Sequence, residues 1–356
     1  MDPMVVYVFL IIAVALVFDF FNGVKDAANS IATIVATRVL TPRKAVLWAA
    51  FFNFVAAFGF EQKVAKNVAE KIVLPEIISP HLIVAALAAA IVWTILCLRR
   101  GLPISVSHAL IGALTGAGLV RGAQLGMQSG AGALHGGFGA ISWSFFGLIA
   151  AFIVLSSVLG LVLGAIMMIC TLWACRNRTP RGVDRVSRVL QLFSAAAYSM
   201  GHGLNDAQKT MGIIVALLGA VPSLRSLAWH GGDPGSGRIA WWIILSCQGA
   251  IALGTYMGGW KVVRTLGHRV AKLRPVEGFC AETAGAITLV SLSICGIPVS
   301  TTHTITGAIF GVSATRRMSA VRWGVGADIV TAWVLTLPVS GVIAAALYWV
   351  MSWFVG

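Results

Sequence analysis

Two stretches of the chain bring a proline, clustered hydroxyls and a histidine together in one register. LPISVSHALIGALTG begins at Leu102 and IPVSTTHTITGAIFG at Ile297. Pro103, Ser105, Ser107, His108, Gly112 and Gly116 therefore correspond to Pro298, Ser300, Thr302, His303, Gly307 and Gly311. A proline opening a helix leaves the first-turn amides without intrahelical acceptors, and hydroxyls around that turn add donors. Backbone N–H groups and the helix dipole together form an anion site. On this reading Ser105, Val106 and Ser107, with Ser300, Thr301 and Thr302, hold a tetrahedral oxyanion between two helix N-termini. The competing reading is that the hydroxyls cap their own helices or bond back to backbone carbonyls. His108 and His303 could donate to the anion, carry a proton or hold the chain through a backbone carbonyl.

A second pair carries the charges. FNGVKDAANSIATIVA from Phe21 and GHGLNDAQKTMGIIVA from Gly201 align at an offset of 180 residues, placing Asp26 on Asp206 and Ser30 on Thr210. Ionisable groups inside apolar segments are costly and are functional candidates by default. Asp26 and Asn29 are three apart, so on a helix they share a face and can offer carboxylate and amide oxygens to one cation. Lys25 stands beside them; Asp206 has Asn205, Gln208 and Lys209 as neighbours. Gly23 and Gly203 are placed to interrupt these helices and free backbone carbonyls. Against that stands a plain structural pair of Asp206 with Lys209 one turn on. His202 and Glu282, the latter in EGFCAETAGAITLV, are further buried candidates. Leu87 stands at Glu282's repeat position, which confines any role to one half. Asp19 and Asp328 read as packing or helix-end residues.

The elements that must position these residues are membrane helices. The chain has 356 residues, 58% of them hydrophobic and only 11% charged, with mean hydropathy +0.89, far from a soluble domain. Apolar runs at 5–18, 45–60, 82–98, 138–174, 240–257, 278–294, 323–337 and 338–355 predict crossings of a bilayer. No alternating short strands suggest a barrel. The first run lacks a basic flank and a cleavage site, so it reads as a helix and not a secretory signal. The six cysteines lack ligand spacing and read as packing residues. Net charge is +14, but the basic residues lie in connections (Arg38 to Lys44, Arg99 and Arg100, 176–188, 261–274, Arg316 to Arg322), which speaks against nucleic acid. Basic connections mark the cytoplasmic side and put the N-terminus outside. The loops at 61–80 and 222–238 then fall outside.

This pattern predicts an all-α polytopic protein of two inverted-topology repeats, 1–175 and 189–356, joined by a basic cytoplasmic linker at 176–188. Broken or re-entrant helices meet near the bilayer midplane, in roughly ten to twelve segments. The regions 138–174 and 320–355 each hold one or two crossings. The glycine-rich stretch 122–139 reads as an extramembrane connection or a loose re-entrant piece.

The duplicated NGxxDAAN and GHGxNDAQKT elements, with PxSxxH twice, resemble the inorganic phosphate transporter (PiT) family, and the element order matches along nearly the whole chain. The resemblance implies a non-enzymatic secondary transporter in a bacterial inner membrane, importing phosphate by symport without a cofactor. It implies phosphate on Ser105, Ser107, Ser300, Thr301 and Thr302, and coupling at Asp26, Asn29 and Asp206. The chain departs from the sodium-coupled members, which carry Asp-x-x-Asn in both repeats: Lys209 stands where the second asparagine would be. An ammonium takes the space and charge of a sodium ion. This is similar to the bacterial branch that couples to protons and takes phosphate as a neutral divalent metal complex, with no fixed protein metal site. A sodium-coupled symporter and a carrier of another oxyanion such as sulfate remain as alternatives, and a homodimer is left open. An intramembrane hydrolase fits poorly, because the serines and histidines come as symmetric pairs and no GxSxG or HExxH is present.

Overall fold

The computed structural model describes residues 2–59, 62–130, 132–233 and 237–355, so parts of the loops expected at 61–80 and 222–238 lie outside the described residues. Its helices are α1 (Pro3–Ala36), α2 (Pro42–Val55), α3 (Lys63–Lys71), α4 (Pro80–Arg100), α5 (Val106–Gln128), α6 (Ala133–Gly139), α7 (Trp143–Ala174), α8 (Pro180–Gly219), α9 (Trp241–Met257), α10 (Trp260–Arg264), α11 (Pro275–Ile294), α12 (Thr301–Arg316) and α13 (Trp323–Val355). No strand is present among the described residues, only two isolated bridges. Proline in the first turn and a hydroxyl or carboxylate before it set many starts: Asp2 caps α1, Ser79 caps α4 and Thr179 caps α8. Among the described residues, four helices (α1, α4, α7 and α13) are long and apolar enough to cross a membrane, or five counting the pair α2 and α3, bent by 80°. The chain is a membrane protein.

The two halves use the same parts in the same order. α1, α2 with α3, α4, α5 and α7 are followed by α8, α9 with α10, α11, α12 and α13. Packing follows the same exchange: α5 lies on α13 as α12 lies on α7, and α1 lies on α4 as α8 lies on α11. The glycines of the two matching stretches explain this. A Cβ at Gly112 would strike the Leu337 carbonyl and one at Gly307 that of Ser157; likewise Gly116 meets Gly341 and Gly311 meets Leu161. Each pair of targets is again 180 residues apart. α1 and α8 run antiparallel, since Thr37 meets Gln191 at one end and Asp19 lies beside Thr210 at the other.

The turns that deliver the hydroxyls are also matched. α4 ends at Gly101 (φ 70°) and α11 is followed by Gly296 (φ 74°), both in the left-handed region that favours glycine. Extended residues then lead back into the protein to Ser105 and Ser300, which cap α5 and α12.

Several expectations are corrected. Gly23 and Gly203 do not interrupt their helices: α1 and α8 run through them, and the glycines admit the backbones of Ile251 and Asn53. The breaks fall instead between α2 and α3 and between α9 and α10, where Gly258 sits at φ 70°. Part of the supposed outer loop at 61–80 is α3, whose Val64 and Ala65 are buried against α8. The stretch 122–139 is largely helical, with α6 folded onto the end of α5 through Gly126 and Gly136. The regions 138–174 and 320–355, where the sequence leaves one or two crossings open, each contain one long helix, and α8 begins at Pro180 within the basic stretch 176–188.

The basic connections gather at one end of the bundle. Arg188 donates to the Arg38 carbonyl at 3.0 Å and Lys261 to that of Arg99 at 2.9 Å. Arg274 pairs with Asp184 at 3.2 Å and Arg316 with Glu277 at 3.7 Å. Overpacking a close helix crossing costs about 1–3 kcal/mol. Gly116→Val and Gly311→Val are therefore expected to lower the melting temperature in detergent, whereas Gly147→Val, facing nothing within 4 Å, leaves it unchanged.

Candidate functional site

The matched turns and the α1–α8 crossing converge on two buried lysines. Lys25 Nζ contacts Asp26 Oδ1 at 2.6 Å and Thr302 Oγ1 at 2.7 Å, and also donates to the Ile104 carbonyl. Lys209 Nζ contacts Asp206 Oδ1 at 2.5 Å, Ser107 Oγ at 2.6 Å and the Val299 carbonyl at 2.8 Å. Each ammonium thus sits in a cage of one carboxylate, one hydroxyl and one backbone carbonyl. The cage oxygens are repeat partners, Asp26 with Asp206, Ile104 with Val299 and Thr302 with Ser107. The lysines are not: Lys25 precedes its aspartate by one position and Lys209 follows by three. Two unrelated positions deliver the same charge to the same environment.

The hydroxyl clusters divide by role. Ser105 accepts from the His108 amide at 3.3 Å and Ser300 from the His303 amide at 3.2 Å, so these two are helix caps. Ser107, Thr301 and Thr302 turn inward. Thr301 Oγ1 donates to Asp206 Oδ2 at 3.0 Å, Thr302 Oγ1 lies 3.1 Å from Asp26 Oδ1, and Ser107 Oγ is 3.5 Å from Asp206 Oδ1. The first-turn amides of both helices, including that of Val106, lack intrahelical acceptors by their position. Tyr198, which sequence reasoning did not single out, donates to the Thr301 carbonyl at 2.9 Å.

The amides are engaged mainly through local hydrogen bonds, while Asn29 Oδ1 stays buried without a partner. Asn29 donates its Nδ2 to Asp26 at 2.8 Å and to Thr302 at 2.9 Å. Asn205 donates to Ser293 at 2.9 Å and accepts from the Val299 amide at 3.3 Å, which holds the turn before α12. Gln208 accepts from the amides of Val64 and Ala65 at 3.0 and 3.3 Å, fixing the start of α3. His202 joins the centre: its Nε2 lies 3.1 Å from Asp206 Oδ2, and its Nδ1 3.1 Å from Asn53 Oδ1. Asp26, His202 and Asp206 each bring one ligand atom within 4.8 Å of the others. Both carboxylates of this trio already face an ammonium.

The remaining candidates lie off the centre. His108 and His303 meet edge to face at 4.8 Å, and His303 stacks on Trp333 at 3.7 Å while its Nδ1 faces the Ile153 carbonyl. Glu282 is enclosed by Thr33 at 2.5 Å, Ser194 at 2.6 Å and Gln191 at 3.0 Å, all donating. Asp328 is exposed near the start of α13.

Known proteins resemble this chain along nearly its whole length. The profile described as "Phosphate transporter family" matches residues 22–183 and 174–344. A protein of Rhizobium meliloti (strain 1021) named "Probable low-affinity inorganic phosphate transporter" is 50% identical over 95% of this chain and 94% of its own length. One of the same name from Bacillus subtilis (strain 168) is 37% identical over 99% of each chain. The solved structure titled "The sodium-dependent phosphate transporter" superposes with a TM-score of 0.80 at 25% identity, covering 98% of this chain and 99% of the other.

Removing one partner of a buried ion pair costs about 3–5 kcal/mol because the other charge is left uncompensated. Lys209→Met and Asp206→Asn are each expected to lower thermal stability in detergent by that order. The double variant should recover part of the loss, and additive losses would show that the pair does not act as a unit.

Proposed function

From the premise that this chain belongs to the phosphate transporter family, we propose that it imports phosphate by proton symport, with the substrate entering as a neutral complex with a divalent cation. Its activity is transport and not catalysis. The observation that carries the finer reading is the charge of the centre. Lys25 and Lys209 already balance Asp26 and Asp206, so the site without cargo is neutral. A phosphate dianion would add two charges in a medium where the idealised cost of burying one ion is of order 20 kcal/mol. Either a divalent cation or protons carried with it remove that cost.

In this mechanism the two helix N-termini supply the donors. Ser107, Thr301 and Thr302 turn from the carboxylates onto phosphate oxygens, joined by the amides of the first turns of α5 and α12. The cation of the complex lies toward Asp26, His202 and Asp206 as cargo. The ammoniums stand in oxygen cages of the type a sodium ion takes, which favours protons as the coupling ion. A protonated phosphate can also donate to Asp206 or Asp26; sulfate cannot at neutral pH, which argues for phosphate over that rival.

The antiparallel run of α1 and α8 and the matched packing support two inverted repeats about this centre, with access alternating between the two sides. The concentration of basic connections at one end supports a cytoplasmic face there, hence an N-terminus outside in a bacterial inner membrane.

Radiolabelled phosphate uptake into proteoliposomes tests this reading. Uptake driven by a pH gradient and raised by magnesium is expected, and a requirement for sodium at clamped pH would overturn proton coupling. Asp26→Asn and Asp206→Asn are each expected to reduce uptake at least tenfold in correctly inserted protein; normal uptake by both would remove these residues from the mechanism.

A further inference from the structure

The polar face of α1 extends beyond the centre. Asp19, Asn22, Asp26, Asn29, Thr33 and Thr37 succeed one another at helical spacing, and all are buried. Asp19, Asp26, Asp206 and Glu282 are fully buried along the α1–α8 crossing, and all but Asp19 are compensated. Asp26 and Asp206 each hold a lysine, and Glu282 receives three donors. Asp19 is the exception: it has 0% exposure, and neither of its carboxyl oxygens has a hydrogen-bond partner.

We propose that Asp19, with Asn22 and Thr210, forms a cation site that takes up the coupling proton ahead of the central site. The proposal rests on the proton-symport reading above. Thr210 and Asn22 are the polar side chains nearest the carboxyl. Asn22 Oδ1 and Thr210 Oγ1 are themselves buried and without partners. The charged or titratable groups that face Asp19 are Asp206 and Lys209 from α8 and the Cys247 thiol from α9. Lys209 is engaged by Asp206, Ser107 and Val299, so it does not neutralise a second carboxylate. An isolated buried carboxylate is strongly disfavoured, and a like charge nearby disfavours it further. The group therefore holds a cation when the surroundings are as they stand here, and a proton is the cation that needs no further ligands.

The repeat supports a role that is needed only once. At the offset of 180, Ser199 stands at the position of Asp19 and Ser30 at that of Thr210, both buried with unpartnered hydroxyls. The second half keeps the shape and lacks the charge. A phosphate cradle built from two helix ends needs both halves, whereas a proton carrier needs a single carboxyl. Position fits as well. Asp19 lies on the far side of Asp26 from Arg38 and the basic end, which is the outer side if that end is cytoplasmic.

Proteoliposomes carrying wild type or Asp19→Asn would be assayed for phosphate/phosphate exchange, which needs no net proton movement, and for net uptake driven by a pH gradient. Exchange within about twofold of wild type with driven uptake reduced at least tenfold is expected, and Asp19→Glu is expected to restore driven uptake. Unchanged driven uptake in Asp19→Asn overturns the site, as does equal loss of exchange and driven uptake in a monodisperse protein. Should Asp19→Asn fail to insert, Thr210→Val decides instead: a shifted pH dependence of driven uptake is expected, and an unchanged profile is fatal. Failure of the underlying reading shows separately, as wild-type uptake indifferent to the pH gradient. Under a sodium gradient the same variant then still decides, since unchanged sodium-driven uptake removes the site, and selective loss retains it with sodium as its ion.

Discussion

Two ammonium groups buried at the centre of a membrane protein constrain everything around them. Lys25 and Lys209 are within a few per cent of full burial, and neither can be left without oxygen partners. Each cage needs a carboxylate from a long helix, a hydroxyl from a helix start and a carbonyl from an extended turn. That requirement explains why α1 and α8 pass continuously through the centre. It also explains why the chain re-enters at Ile104 and Val299: only a non-helical stretch can turn a backbone carbonyl sideways into a cage. The positive φ at Gly101 and Gly296 is the local consequence, because a helix must stop abruptly to release that stretch.

The glycines of α5 and α12 serve the same end from the other side. They let α13 and α7 approach to backbone contact, which fixes the depth of each helix start and so the height of Ser107, Thr301 and Thr302. Packing here is thus a positioning device as much as a source of stability. The small residues that membrane helices use to associate stand in the same segments as the hydroxyls that face the centre.

Much of this was legible in the chain. The matched PxSxxH stretches revealed two helix starts, and the Asp26 and Asp206 motifs revealed the charges that meet them. The distinction between Ser105 and Ser107 was not legible, because a capping hydroxyl and an inward hydroxyl differ only by the direction of the first turn. Nor was the equivalence of Lys25 and Lys209: register places Lys25 opposite Asn205 and Lys209 opposite Asn29, and only side-chain reach brings their ammoniums to matching cages. Tyr198 and α3 were missed for a related reason. Their partners, the Thr301 carbonyl and Gln208, are distant in sequence and carry no periodic signal. Gly23 and Gly203 misled because a glycine that breaks a helix and one that admits a neighbouring backbone look alike in a sequence.

Departures from the duplication are as informative as the features it preserves. The cages, the caps and the glycine crossings occur in both halves. Glu282 and Asp19 occur once, at opposite ends of the α1–α8 interface, with Leu87 and Ser199 at their repeat positions. They also differ from each other. Glu282 is locked by three donors from α1 and α8, so its charge is part of the packing between those helices. Asp19 has no such lock. The two single-copy carboxyls thus differ in solvation at opposite ends of one interface, in a scaffold whose cages and caps are otherwise matched.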